Sequence, residues 1–158
     1  MATEEQFDMD RQKLKFFGIE LEIDNGGNST SNGAQLLDIC NSDFTETIYL
    51  KHDGSIAHGF EIVTHPMTVA YHLTRFPWEK LVKAARNMGY LSHKCGTCGL
   101  HIHVNRSFFG ADEEEQDINI SKVLFFIENN WDYILQFSRR SVSNMERWAS
   151  RYGRFNCP

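Results

Sequence analysis

Apolar and polar residues alternate strictly along Lys15–Asp24, KFFGIELEID. Phe17, Ile19, Leu21 and Ile23 fall on one side and Gly18, Glu20 and Glu22 on the other, the period-two signature of a strand. Asn25–Gly33 (NGGNSTSNG) collects turn formers and reads as a polar loop, followed by a short helix over Ala34–Cys40. Thr47–Lys51 predicts a second strand, Asp53-Gly54 a tight turn, and Phe60–His65 a third strand. From Thr68 to Met88 the period turns helical, with Pro77 suited to the first turn of a helix and Gly89 to its C-terminal end. Leu100–Asn105 (LHIHVN) alternates again. The acidic run Asp112–Asp117 reads as a solvated loop. Val123, Leu124, Ile127, Trp131, Ile134 and Leu135 trace the apolar stripe of one long helix, and a shorter one is expected over about Ser143–Tyr152. Strands interleaved with helices predict an α+β domain. Residues 1–13 read as a flexible lead and 14–158 as a single domain, with no repeat and no linker-like stretch.

The candidate chemistry lies in what the strands place opposite their apolar sides. Glu20 and Glu22 share a face of the first strand. Glu61 and His65 lie opposite Phe60, Ile62 and Thr64 in the third. His101, His103 and Asn105 lie opposite Leu100, Ile102 and Val104 in the last. One Glu-x-Glu strand is ordinarily the wet side of an antiparallel sheet, and one His-x-His a surface pair. Here three separate strands repeat the pattern. Stacked carboxylates repel one another unless a cation or a proton sits among them. Oxygen-rich ligation with an imidazole suits Mg²⁺ or Mn²⁺ better than zinc, and such ions commonly take substrate phosphates as further ligands, which points to ATP.

Composition narrows the field. The 158 residues are 41% hydrophobic and 13% aromatic, enough for a packed core without disulfides. A net charge of −5 argues against sequence-independent nucleic-acid binding. No run of apolar residues is long enough to span a bilayer, and Met1–Asp10 has no basic-then-apolar leader pattern. The cysteines Cys40, Cys95, Cys98 and Cys157 are too sparse for a disulfide scaffold. Neither a nucleic acid nor a membrane is expected as partner, and the expected setting is cytoplasmic.

Three segments, FGIELEI (Phe17–Ile23), HDGSIAHGFEIVTHP (His52–Pro66) and CGLHIHVN (Cys98–Asn105), resemble in order and rough spacing the amidoligase family, part of the glutamine synthetase-like carboxylate–amine ligase superfamily. The resemblance spans about Phe16–Arg140, and CGLHIHVN is its most specific element. It implies an antiparallel sheet, with helices on one face, cupping ATP and two divalent cations (Mg²⁺ or Mn²⁺). It also implies that a carboxylate is phosphorylated by ATP and that an amine attacks the acyl phosphate. Amino acids, peptides or proteins would supply the carboxylate and amine. On this resemblance Glu20 and Glu22 would serve different ions, Glu61 joining Glu22 and His101 joining Glu20. His103 and Asn105 would contact nucleotide or substrate. Asp53 would orient or deprotonate the amine, and Arg139 and Arg140 would hold a phosphate, although arginines at a helix end also suit the helix dipole. Lys51 and His65 read as bystanders. The family continues with further strands that carry another glutamate and arginine. The chain stops at Asn156-Cys157-Pro158 without them, so it reads as a truncated or shortened member with one cation short of a ligand.

Four other readings compete. Cys95-x-x-Cys98 with His101 and His103 offers zinc ligands, but a second zinc half-site normally arrives a dozen or more residues later, and a strand spreads these residues apart. A nucleotide- or peptide-binding module of the same fold would keep the face without turnover. Cysteine hydrolysis through Cys98 lacks a sharp turn and oxyanion donors. A redox role for the CxxC pair is disfavoured because no helix follows it to depress a thiol pKa.

Overall fold

The strict alternation of FFGIELEI produces the central strand of a five-stranded antiparallel sheet. The computed structural model describes residues 15–52 and 54–151, so the lead over 1–13 and Asp53 lie outside the described residues. β1 (Phe16–Ile23) is paired along both edges. β5 (Leu100–Val104) runs along one edge; β3 (Phe60–Thr64) and β4 (Met67–Thr68) follow each other along the other, and β2 (Ile48–Lys51) pairs with β3. The fold is therefore α+β with an open antiparallel sheet. Where β3 gives way to β4, the Ile19 amide donates to Thr64 Oγ1 at 2.9 Å, so the break in pairing leaves no orphaned donor there.

Residues directly opposite in an antiparallel pair share a face. The register sets Leu21 beside Ile62, Ile62 beside Leu50, and Ile23 beside Phe60. This apolar side packs on two helices. α1 (Thr30–Cys40) buries Leu36, and α3 (Trp78–Asn87) buries Leu81 and Ala85, one helical turn apart. Phe76 and Tyr90 complete the core.

Three boundaries before Asn105 differ from the sequence expectation in how elements start or join. α1 begins at Thr30, inside the expected loop, because the Ser29 hydroxyl accepts from the Asn32 amide and caps the helix. The stretch 68–88 divides into β4, α2 (Val69–Thr74) and α3, broken before Pro77, which has no amide hydrogen to continue a helix. β2 and β3 are joined through 52–59, a longer connection than a two-residue hairpin.

Gly59, just before β3, has backbone where a side chain would stand. A Cβ there would overlap the Ile23 carbonyl oxygen and lie 2.7 Å from Asp24 Cα. Gly59→Ala should therefore force β1 and β3 apart at their paired ends and cost about 1–3 kcal/mol or more. Urea unfolding monitored by circular dichroism measures it; an unchanged midpoint would refute the close approach.

Contacts divide the chain after Asn105 into two compact units, although no change in composition marks the boundary. The second contains a short 3-10 turn (Arg106–Phe108), α4 (Glu113–Asn129), α5 (Trp131–Ser138) and α6 (Val142–Trp148). The acidic run expected as a loop forms the start of α4 instead. Asp112 caps it, accepting from the Glu115 amide at 2.9 Å, and Glu113, Glu114 and Glu115 occupy the first turn, where negative charge suits the helix dipole. Arg106 pairs with Asp117 at 2.6 Å. The expected long stripe is interrupted at Asn130, so it becomes α4 and α5. No described helix is long and apolar enough to cross a membrane.

Candidate functional site

The register that buries the apolar residues of β1 and β3 gathers the polar ones, although Leu100 and Ile102 of β5 stay exposed. Glu20 lies directly opposite His101, Gly18 opposite His103, Glu22 opposite Glu61, and Glu61 opposite Lys51. Four adjacent strands, β2, β3, β1 and β5, thus supply one surface. Because Gly18 has no side chain, the His103 ring has room to lean along β1 towards Glu20.

Both imidazoles converge on a single oxygen. His101 Nδ1 is 3.3 Å and His103 Nε2 3.2 Å from Glu20 Oε2. Ligand atoms of the three residues all lie within 4.8 Å of one another, and among the described residues they form the one group of His, Cys, Asp and Glu so placed. Lys51 Nζ approaches the other Glu20 oxygen at 3.8 Å and Glu61 Oε2 at 3.5 Å. Lys51 is therefore part of the site, although the sequence reading set it aside. Its amine is held above the usual range: partial burial opposes this, but Glu61, then Tyr49, then Glu20 together outweigh it.

The two glutamates are driven apart. Burial alone raises the Glu20 carboxyl, but hydrogen bonds from His103 and His101, with the charges of His103 and Lys51, bring it below the usual carboxylate range. Glu61 is held above that range, first by burial and next by the negative charge of Glu20, to which it also hydrogen-bonds. A divalent cation would offset the burial and the repulsion that raise Glu61.

Glu22 is only 7% exposed and turns towards the loop before β5. Its carboxylate accepts the Gly99 amide hydrogen, and its own amide donates to the Gly99 carbonyl at 3.1 Å. Glu22 and Glu61 face each other in register, yet the Glu61 carboxylate associates with Lys51 and Glu20. Asn105 follows β5, and its amide donates to the Phe16 carbonyl. Asp53 lies outside the described residues. Arg139 and Arg140 belong to the second unit, where Arg139 adopts the left-handed C-cap position after α5 with φ 55°. His65 packs its ring against Tyr49 at 5.6 Å, at the far end of the β2–β3 pair.

The sequence reading overlooked Asp24. Its Oδ1 accepts from the amides of Asn25 and His58, both at 2.8 Å, and its Oδ2 from Thr97 Oγ1 at 3.0 Å. Backbone bonds in both directions tie it to Leu91. Its only sequence signal is position, as the first polar residue after an apolar strand face.

The donor set fits a divalent cation: a carboxylate between two imidazoles, a second carboxylate beside it, and a lysine supplying the countercharge. It does not fit the four-residue zinc set, since the histidines gather on Glu20 while the Cys95 thiol donates to the Ser92 carbonyl and the Cys98 thiol to the Leu91 carbonyl. A shallow hollow lined by Trp131, Val142, Met145 and Arg151 belongs to the second unit and holds none of these groups. Compared with family profiles, curated proteins and solved structures, the chain finds no match.

Proposed function

We propose that the chain is an amidoligase with a glutamine synthetase-like catalytic sheet, dependent on ATP and Mg²⁺ or Mn²⁺. It would join the carboxylate of an amino acid, peptide or protein to an amine through an acyl phosphate, in the cytoplasm. The observation behind this reading is the placement of Glu20, Glu22, Glu61, His101 and His103 on one face of three adjacent strands, as the sequence resemblance requires.

Glu20, His101, Glu61 and Glu22 would hold the cations. A bound Mg²⁺ or Mn²⁺ supplies positive charge to the phosphate oxygens and to the transferring phosphoryl group. Around it, Lys51 favours the ionised forms of Glu20 and Glu61, and His103 and Asn105 would face nucleotide or substrate. Asp53 would orient the amine or take its proton. Phosphorylation is needed because a carboxylate oxygen is a poor leaving group.

Calorimetric titration of ATP into metal-stripped protein, with and without Mg²⁺ or Mn²⁺, tests this. Binding is expected only with the cation. Glu22→Gln should weaken it about 10-fold, in the range of losses seen around metal sites, while the amide oxygen still accepts from Gly99 and the fold is kept. Absence of ATP binding with either cation would overturn the ligase reading.

One observation favours a second reading. Two imidazoles meeting on one carboxylate make a set that transition ions take without any phosphate. Tight Mn²⁺ binding with no response to ATP would identify a cation-binding module instead.

A further inference from the structure

The loop between α3 and β5 holds two thiols that the candidate site does not use. The loop turns through Gly96 at φ 76°, and the Cys95 amide closes it on the Ser92 carbonyl at 3.0 Å. Cys95 Sγ lies 3.9 Å and Cys98 Sγ 4.0 Å from the same oxygen, the Leu91 carbonyl. Cys95 Sγ also donates to the Ser92 carbonyl at 2.7 Å, and both thiols are half-buried and unbridged. No third or fourth metal ligand joins them among the described residues.

We propose that Cys95 and Cys98 are a reversible redox pair, a dithiol converted by a low-molecular-weight disulfide into an intramolecular disulfide whose formation is felt at Glu22 through Gly99. The Cys95 thiolate attacks one sulfur of the oxidant; a Cys95–S–S–R mixed disulfide forms as the oxidant's own S–S bond breaks, and one RS⁻ leaves. Cys98 gives up its proton and attacks Cys95 Sγ, expelling the second RS⁻. The protein loses two electrons and two protons, and the oxidant becomes two RSH.

The two sulfurs have different environments, which sets the order of attack. Burial works against the Cys95 thiolate, but hydrogen bonds from the Cys98 and Thr97 side chains and from their backbone amides outweigh it and hold the thiol below its usual pKa. Burial, with Cys95 beside it, pushes Cys98 up to about 12. The role a following helix plays in other CxxC pairs is taken here by the turn itself, which is why the sequence reading disfavoured redox chemistry. Connection to the sheet is direct. Cys98 precedes Gly99, whose amide and carbonyl both bond Glu22, and Thr97 donates to Asp24 at 3.0 Å.

The test incubates the full chain in glutathione buffers from reducing to oxidising, quenches with acid, alkylates free thiols and maps the peptides by mass spectrometry. The expected product is a Cys95–Cys98 disulfide reversed by dithiothreitol, with Cys40, its thiol pushed up to about 11 by burial, still reduced. Cys98→Ser should accumulate glutathione on Cys95, and Cys95→Ser should take it up on Cys98 at least about 10-fold more slowly. Persistent glutathione adducts in the wild type without the internal disulfide, or equal rates for the two variants, would overturn the pair. On oxidation the amide NMR signals of Glu22, Asp24 and Gly99 should shift. Disulfide formation that leaves Glu22 and Asp24 unmoved would overturn the coupling.

Discussion

Replacing Glu20 by Ala is expected to lower affinity for Mn²⁺ by at least about 100-fold, since loss of even an outer-shell partner costs about 10–100-fold. Glu20 is the single group reached by both histidines and by Lys51, and it stands next to Glu61. Without it, His101 and His103 have no shared carboxylate, and Glu61 keeps its ion pair with Lys51 at 3.5 Å. The fold should survive, because the side chain lies on the polar face and its removal relieves repulsion on Glu61. Calorimetry of Mn²⁺ binding paired with a thermal melt separates these effects. Unchanged Mn²⁺ affinity in a folded variant would remove the site. Protons compete for the same groups. Glu61 titrates above the usual carboxylate range, so wild-type affinity should fall as pH drops through that raised value, before Glu20 itself is protonated.

Asp24→Ala should destabilise the protein by about 2–4 kcal/mol, because hydrogen bonds to a buried charge are strong and their loss strands the donors. The residue is 4% exposed, and its carboxylate serves three donors drawn from positions 25, 58 and 97. Three loops at one end of the sheet are joined through it. Burial raises its pKa, but the bonds from Asn25, His58 and Thr97 outweigh burial and hold it below the usual value. The sign follows from linkage. A depressed folded-state pKa gives stability that is present above the unfolded pKa and lost as pH falls through the folded one. Urea unfolding of wild type and Asp24→Asn should therefore differ at pH 7, begin to converge below about pH 4, where the unfolded carboxylate takes up its proton, and meet only below the depressed folded-state value. A difference independent of pH would show that Asp24 acts by shape alone.

Much of the sheet was legible in the sequence because a half-buried strand writes its two faces into alternate residues. FFGIELEI, FEIVT and LHIHV are each strands where alternation placed them, with Glu20, Glu22, Glu61, His101 and His103 on the polar side. Helix boundaries were less legible. Asp112–Asp117 reads as a charged loop until its first residue is seen to cap a helix, and Ser29 likewise starts α1 within a run of turn formers. Capping depends on one side chain meeting one amide, which composition does not record.

Alternation determined which residues share a face, since the period of a strand is a local property of the chain. Partnership was decided only by tertiary structure. Antiparallel register set Gly18 against His103, and that gap lets a second imidazole reach Glu20. The same register carried Lys51 to Glu61, gave Glu22 to Gly99, and made Asp24 the acceptor for donors from distant loops. Such pairings join residues tens of positions apart. Their energies depend on distance and burial between strands, quantities that no single stretch of sequence contains.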